Sequence, residues 1–565
     1  MCSLICLDFP SEYKGQYMAP NYDVLIIGSG FGGAVTACRL AEQGMKVLVL
    51  ERGRRWEVKD YPSQSGENWL YNNDHPQREQ GWIDWRFWGN MTVVVGAAVG
   101  GGSLIYANVS APAHRECFDQ GWPPEITYQE LTPYYDRVGK MLNVQTLPEG
   151  QLTYRFKLMK EAAEKAGYGD RFTKMPVAIT FDPNFTYDQP DPFNNKNSVK
   201  HLNDQGVEQG TCVHCGNCDF GCQVHAKNTL DLNYIPQAEK YHADVRPLHY
   251  VRFIEPVDGG YRVTFDRIIP GGGFWGQGKL VRGSETARKV IVAAGSLGST
   301  ELLLRCRDQY KTLPQLSPFL GHNWSSNGDF LTLGMYPESR TIAPSWGPTI
   351  TCYIDFLNKP FQDQRFVVED GGFAPFLRDY LEKKISQAEH GIKQPYLKAI
   401  LDAMARDLRN EDPLGNVMPW FANGVDKSNG RFYLGHKWWW PWGKNLELDW
   451  PKDLEPTDAI IAMHTILSKV TGGKEWVSPT WTDLKWLITP HPLGGCNMGT
   501  DASNGVVNHA GAVFGYPGLY VADGAIVPEA IGINPSRTIA CLSERIAHLI
   551  VTEETGRAMP AVAGV

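Results

Sequence analysis

The chain alternates short, wholly apolar runs with glycine clusters near both of its ends, and it is aromatic and broken up in between. After Tyr22 and Asp23, Val24-Leu25-Ile26-Ile27 is the kind of run that forms a strand buried on both faces. A helical stretch over 34–43 and a second apolar run over 46–51 follow, which predicts a strand-helix-strand unit. The pattern returns at 289–295 and 518–524, where apolar runs end on glycine and precede helical stretches at 298–305 and 536–552. Gly556 stands just past the last of these as its terminator. Alternating positions at 243–247, 250–254 and 261–265 predict strands, the last two joined by a hairpin through Asp258-Gly259-Gly260. Helical spacing also covers 128–142, 156–166, 375–389, 396–409 and 457–470. Two stretches show neither period and are expected to be irregular: the aromatic 82–90, and the Asn- and Pro-rich 182–204, read as a surface excursion. The run Trp438-Trp439-Trp440-Pro441-Trp442 suits either a core or the wall of an apolar cavity.

A chain of 565 residues is too long for one simple core, so interleaved domains are expected. Changes of pattern divide it into an arm (1–20), a nucleotide-binding segment (21–150), an excursion on the substrate side (151–210), and a cysteine cluster with a second nucleotide-binding segment (211–325). A substrate domain (326–484), a third nucleotide-binding segment (485–555) and a tail (556–565) complete the series. The formal charge of -8 argues against a nucleic-acid partner, which would call for a basic face. No apolar run approaches the roughly 18 residues of a transmembrane helix, and the first twenty residues lack a signal peptide's basic start and apolar core, so a cytoplasmic location is expected. Four of the 12 cysteines crowd into 212–222, which points to a local site in a reducing compartment.

Gly28-Ser29-Gly30-Phe31-Gly32-Gly33 lies between the first strand and its helix, and Glu51 ends the second strand. In that order the residues form a dinucleotide fingerprint. Gly28 permits the tight turn, Gly30 lets a pyrophosphate approach the backbone, Gly33 lets the helix pack closely, and Glu51 accepts from a ribose hydroxyl, with Phe31 on the same ligand-facing turn. Four glycines between Gly96 and Gly102 would each cost about 1 kcal/mol against alanine in a helix, but they suit backbone that touches a cofactor. Gly101, Gly102 and Asn108 are the candidate contacts there, and Gly295, Asp523 and Gly524 repeat the logic at two later strand ends. His491-Pro492-Leu493-Gly494-Gly495-Cys496 holds a histidine in a loop shaped by proline and glycine, which aims the imidazole through backbone geometry.

Cys212, Cys215, Cys218 and Cys222 repeat the C-x2-C-x2-C-x3-C run of bacterial ferredoxins. There the fourth cysteine serves a second cluster, and this chain has no second run. Either Cys222 completes a single iron-sulfur cluster or the first three cysteines hold one with an open corner or a ligand from elsewhere in the chain. Zinc, disulfides and unpaired thiols remain as alternatives. A cluster would provide a one-electron exit to a protein or quinone acceptor.

The glycine fingerprint, residues 99–103, residues 491–496, and Asp523-Gly524 through Asn534-Pro535 together resemble the glucose-methanol-choline flavoprotein oxidoreductases, and within them the cholesterol oxidase-like branch. The likeness runs over most of 20–550. It implies an α/β chain (α+β overall), with a discontinuous Rossmann-like FAD-binding domain and a substrate-binding domain of mixed sheet and helices. Residues 96–108 contain no histidine for a covalent link, so FAD is expected to bind non-covalently. The resemblance implies oxidation of a small-molecule alcohol to a carbonyl, with His491 positioning or deprotonating the hydroxyl and Asn534 near flavin and substrate. It also implies Val251 backbone against the adenine, and Glu369 near the place where steroid oxidases hold an isomerisation base. The expected substrate is a bulky apolar, steroid-like or alicyclic alcohol. The alternatives are a smaller or sugar-like alcohol, or a redox-sensing electron-transfer flavoprotein centred on the cysteines.

Overall fold

The computed structural model describes residues 20–61, 69–271, 278–375, 416–437, 440–451 and 456–556. Its seven-stranded sheet has a parallel centre, with Tyr22–Ile27 between Val47–Leu50 and the end of Lys279–Val292. Asp244–Arg246 adds on one side and Leu519–Val521 on the other. Val47–Leu50 and Leu519–Val521 are buried at every residue because both of their faces are covered. Lys279–Val292 changes partner at Ala287. Before it, the strand runs antiparallel to Gly260–Ile269, which turns back into His249–Val257; after it, the strand joins the parallel centre.

The helix Phe31–Glu42 lies against the C-terminal helix Ser536–Thr555, which ends at Gly556 with φ 65°. Buried Glu544 fastens this packing by accepting from Arg39, Arg137 and the hydroxyl of Tyr234.

A six-stranded antiparallel sheet forms the second layer, in the order Lys474–Trp476, Phe330–Met335, Val417–Gly424, Phe366–Asp370, Cys352–Asp355 and Phe172–Lys174. Strand alternation divides its residues. Leu331, Leu333, Val417, Pro419 and Phe421 face a large cavity. Thr332 and Trp420 face the helix Thr457–Val470, bonding to His464 and Ser468. Arg155, fully buried, pairs with Asp370 and donates to the carbonyls of Trp346, Pro348, Thr349 and Gly371. One guanidinium thus pins two chain segments beside Glu369.

Residues 82–90 are not irregular. Ile83–Trp88 is a strand paired antiparallel with Met91–Gly96. Its period is masked in the sequence because aromatic Trp85 and Phe87 share the outer face, while Asp84 is buried between Arg52 and Arg86. The 182–204 stretch is anchored as well as superficial: Phe185 is buried and stacks on His214, with ring centroids 4.2 Å apart. The helical patterns at 375–389 and 396–409, and Trp438 and Trp439 of the tryptophan run, lie outside the described residues, apart from Pro375 itself. Trp440 opens the strand Trp440–Asp449.

Candidate active site

The two sheets enclose a cavity of about 1040 Å³. That lies at the top of the roughly 300–1,000 Å³ range of small-molecule and cofactor sites. The nucleotide half is built from backbone. Gly28 turns at φ 100°, and a Cβ there would lie 2.4 Å from the Ala293 carbonyl; one on Gly33 would lie 2.0 Å from the Gly28 carbonyl. Gly30 differs, since a Cβ there would meet only Gly101 Cα at 3.9 Å and would otherwise point into open space. Gly102 and Gly295 also have nothing within 4 Å of a built Cβ.

Gly28, Gly30, Phe31, Glu51, Gly101 and Gly102 all line the cavity, as do Val251, Gly295, Asp523 and Gly524. Glu51 is held in place by Ser29 N–H and hydroxyl and by Gly53 N–H. Asp523 accepts from Gly295 N–H, Ser299 and Ala525 N–H, and burial pushes its carboxyl up to about 6. Val251 lies beside a bulge at Arg252, where His249–Val257 slips register against Gly260–Ile269. Asn108 is fully buried at φ 65°, and neither end of its amide has a protein partner. Gly33 and Asn108 stand behind the cavity wall.

At the other end His491 projects into the cavity. Its Nε2 is 3.4 Å from Asn534 Nδ2, and its Nδ1 is 2.9 Å from Asp329 Oδ1. Asn423 donates to the same Asp329 oxygen, and Thr489 donates to the other at 2.6 Å while accepting His491 N–H. Glu369 is fully buried behind the cavity wall, and neither carboxyl oxygen has a hydrogen-bond partner. Burial first and the Asp329 charge second push its carboxyl well above its ordinary range, with nearby Asn534 opposing. Asp329, Asn423 and Thr489 were not among the candidates from sequence.

The cysteine run forms one wall of this cavity through Asp219 and Phe220. Cys212, Cys215, Cys218 and Cys222 are free, and three of them pack against Val213, Val224 and Ala226. His214, between the first two, is committed elsewhere, bonding Tyr187 and Gln151. Lys227 is buried, donates to the carbonyls of Leu104 and Cys218, and is pushed down to about 8 by burial. Among the described residues no group of three or more His, Cys, Asp or Glu side chains is arranged to hold a metal ion. The iron-sulfur cluster expected from the spacing is therefore not supported: regular spacing brings the thiols into one region without converging them on a point. Among the described residues, too, no helix is long and apolar enough to cross a membrane.

Residues 459–543, which contain His491 and Asn534, match a family described as GMC oxidoreductase, and residues 26–56 match an NAD(P)-binding Rossmann-like domain. A cholesterol oxidase of Acinetobacter baumannii is 31% identical over 95% of each chain. Another, from Mycobacterium tuberculosis, is 32% identical over 96% of this chain and 93% of its own. The chain belongs to the GMC oxidoreductase family. Its fold agrees: pyridoxine 4-oxidase from Mesorbium loti superposes with a TM-score of 0.59 at 16% identity, covering 94% of this chain and 99% of that one. GMC oxidoreductases bind FAD, and the cradle fits this cofactor. Open space over Gly30, Gly102 and Gly295 is what a bound flavin dinucleotide would fill. Gly30→Val tests this fit, because the added side chain would enter the ligand space and not the protein. The variant is expected to fold, to purify without flavin absorbance and to melt where flavin-stripped wild-type protein melts; full flavin content would remove Gly30 from the cradle.

Proposed function

We propose that this GMC oxidoreductase oxidises a bulky, apolar, steroid-like or alicyclic alcohol to its carbonyl, using FAD held non-covalently. The observation that carries the reading is His491 Nε2 beside Asn534 Nδ2 at the edge of a cavity walled by Leu331, Leu333, Val417, Phe421 and Trp481. Aliphatic and aromatic walls with a few convergent polar groups suit an apolar body carrying one hydroxyl, whereas a sugar-like alcohol would leave most of its hydroxyls unpaired. The cholesterol oxidases among the relatives support the same class.

When bound, FAD supplies the two-electron acceptor for the carbon-bound hydrogen. The chain supplies orientation and proton transfer. Asn534 Nδ2 donates to the substrate oxygen, and His491 Nε2 takes the hydroxyl proton as the C–H electron pair departs. Burial pushes the Glu369 carboxyl well above the usual range, so it would have to be ionised before it could act as an isomerisation base. His491→Ala and Asn534→Ala are expected to slow anaerobic flavin reduction by alicyclic alcohols roughly 10² to 10⁴-fold while FAD stays bound and leaves intact on acid precipitation. Unchanged reduction rates in both variants would take this pair out of the chemistry.

The second reading concerns the acceptor, and the place of Asp219 and Phe220 in the cavity wall favours it. Electrons would leave through the cysteine run to a protein or quinone instead of oxygen, which requires the four thiols to be drawn together around iron. Bound there, a cluster would supply one-electron transfer. Iron and acid-labile sulfide in anaerobically purified protein would support it. No iron together with rapid peroxide formation would leave a simple oxidase.

A further inference from the structure

We propose that Asp329 is the positioning residue of this site: it holds His491 as the Nδ1–H tautomer with Nε2 turned to the cavity, and it supplies the counter-charge for the imidazolium formed during turnover. The inference rests on the reading of His491 Nε2 as proton acceptor and adds how that acceptor is prepared.

Both Asp329 oxygens lie within bonding distance of His491 Nδ1, at 2.9 and 3.0 Å. The carboxylate is fully buried, and its further donors are the Asn423 amide and the Thr489 hydroxyl. Asn423 Nδ2 is also 3.1 Å from His491 Nδ1, so the opposite tautomer, with Nδ1 accepting from Asn423, has to be weighed. That arrangement would set the Nδ1 lone pair against a buried carboxylate and leave Asp329 one donor short. The exchange is unfavourable, because a hydrogen bond to a charged group is roughly twice as strong as one between neutral groups. With Nδ1 committed to donation, Nε2 carries the lone pair.

The backbone holds the aim. Thr489 accepts from His491 N–H and donates to Asp329, so one hydroxyl ties the backbone of His491 to the carboxylate behind its ring. Substrate oxidation then balances locally. The O–H bond breaks and its proton moves to Nε2; the C–H pair leaves as hydride for the bound flavin; the C=O bond forms. The positive charge left on the ring sits beside a carboxylate already in place, so no solvent must reorganise to stabilise it.

The test starts with unaltered protein. Selective ¹⁵N-histidine labelling of the holoenzyme, with the His491 signals assigned by their loss in His491→Gln, reports which ring nitrogen carries the proton in the neutral form. The expected result is protonated Nδ1 and bare Nε2; a protonated Nε2 overturns the proposal without reference to any substrate. Asp329→Ala is expected to lose the preference for Nδ1–H and to reduce its flavin with cholesterol at least about 10²-fold more slowly, with half-saturation by cholesterol within threefold of wild type. Asp329→Asn keeps an oxygen acceptor without the charge and should fall between the two. Reduction within threefold of wild type in a flavin-replete Asp329→Ala would equally overturn it. Failure of cholesterol to reduce the wild-type flavin would count against the proposed substrate class and leave the tautomer result standing.

Discussion

Backbone meets backbone without side chains between, and the rest of the structure depends on that contact. A Cβ on Gly32 would lie 1.6 Å from the Ala522 carbonyl, and one on Gly101 would lie 2.6 Å from Gly30 Cα. Three segments far apart in sequence, around 28–33, 96–102 and 522–524, converge because a glycine stands at each crossing, Gly32 against Ala522 and Gly101 against Gly30. Any side chain there would have to displace main chain, which costs more than a typical core substitution. The same convergence leaves peptide groups, not side chains, facing the nucleotide half of the cavity.

The chemistry is placed by different means. His491 leaves the glycine-rich framework, but its partners come from the antiparallel sheet: Asp329 just before Phe330–Met335, and Asn423 near the end of Val417–Gly424. Sheet register therefore decides whether the ring has a carboxylate behind it. Arg155 contributes from the far side by fixing Asp370, and so the neighbouring Glu369, against four carbonyls of adjoining loops. The site is accordingly a rigid backbone cradle on one side and a hydrogen-bonded side-chain assembly on the other, with buried carboxyls spaced by amides. Buried charge is tolerated there because donors surround it, and Glu369, which lacks them, is pushed toward its neutral form.

The parts legible in sequence were those whose physics is local. Glycines at 28, 30 and 33 are legible because a turn, an open approach and a close packing contact each constrain one residue at a time. His491 and Asn534 stood out by their proline and glycine neighbours. Asp329 did not, because its partners lie 162, 160 and 94 residues away and nothing around it departs from an ordinary strand entrance. Ile83–Trp88 was hidden for a related reason: a buried Asp84 paired with two arginines breaks the apolar-polar alternation that announces a strand. The cysteine spacing was plain in the sequence, but spacing does not fix where four sulfurs point.

The central claim is that the alcohol's own carbon-bound hydrogen reaches FAD while His491 takes the hydroxyl proton. Anaerobic stopped-flow absorbance of the wild-type holoenzyme, mixed with cholesterol and with cholesterol deuterated at its carbinol carbon, addresses it most directly. The account predicts bleaching of the oxidised flavin in both cases, several-fold slower with deuterium. Bleaching at equal rates would mean that cleavage of this bond does not limit flavin reduction, and no bleaching by cholesterol or by any alicyclic alcohol would contradict the account.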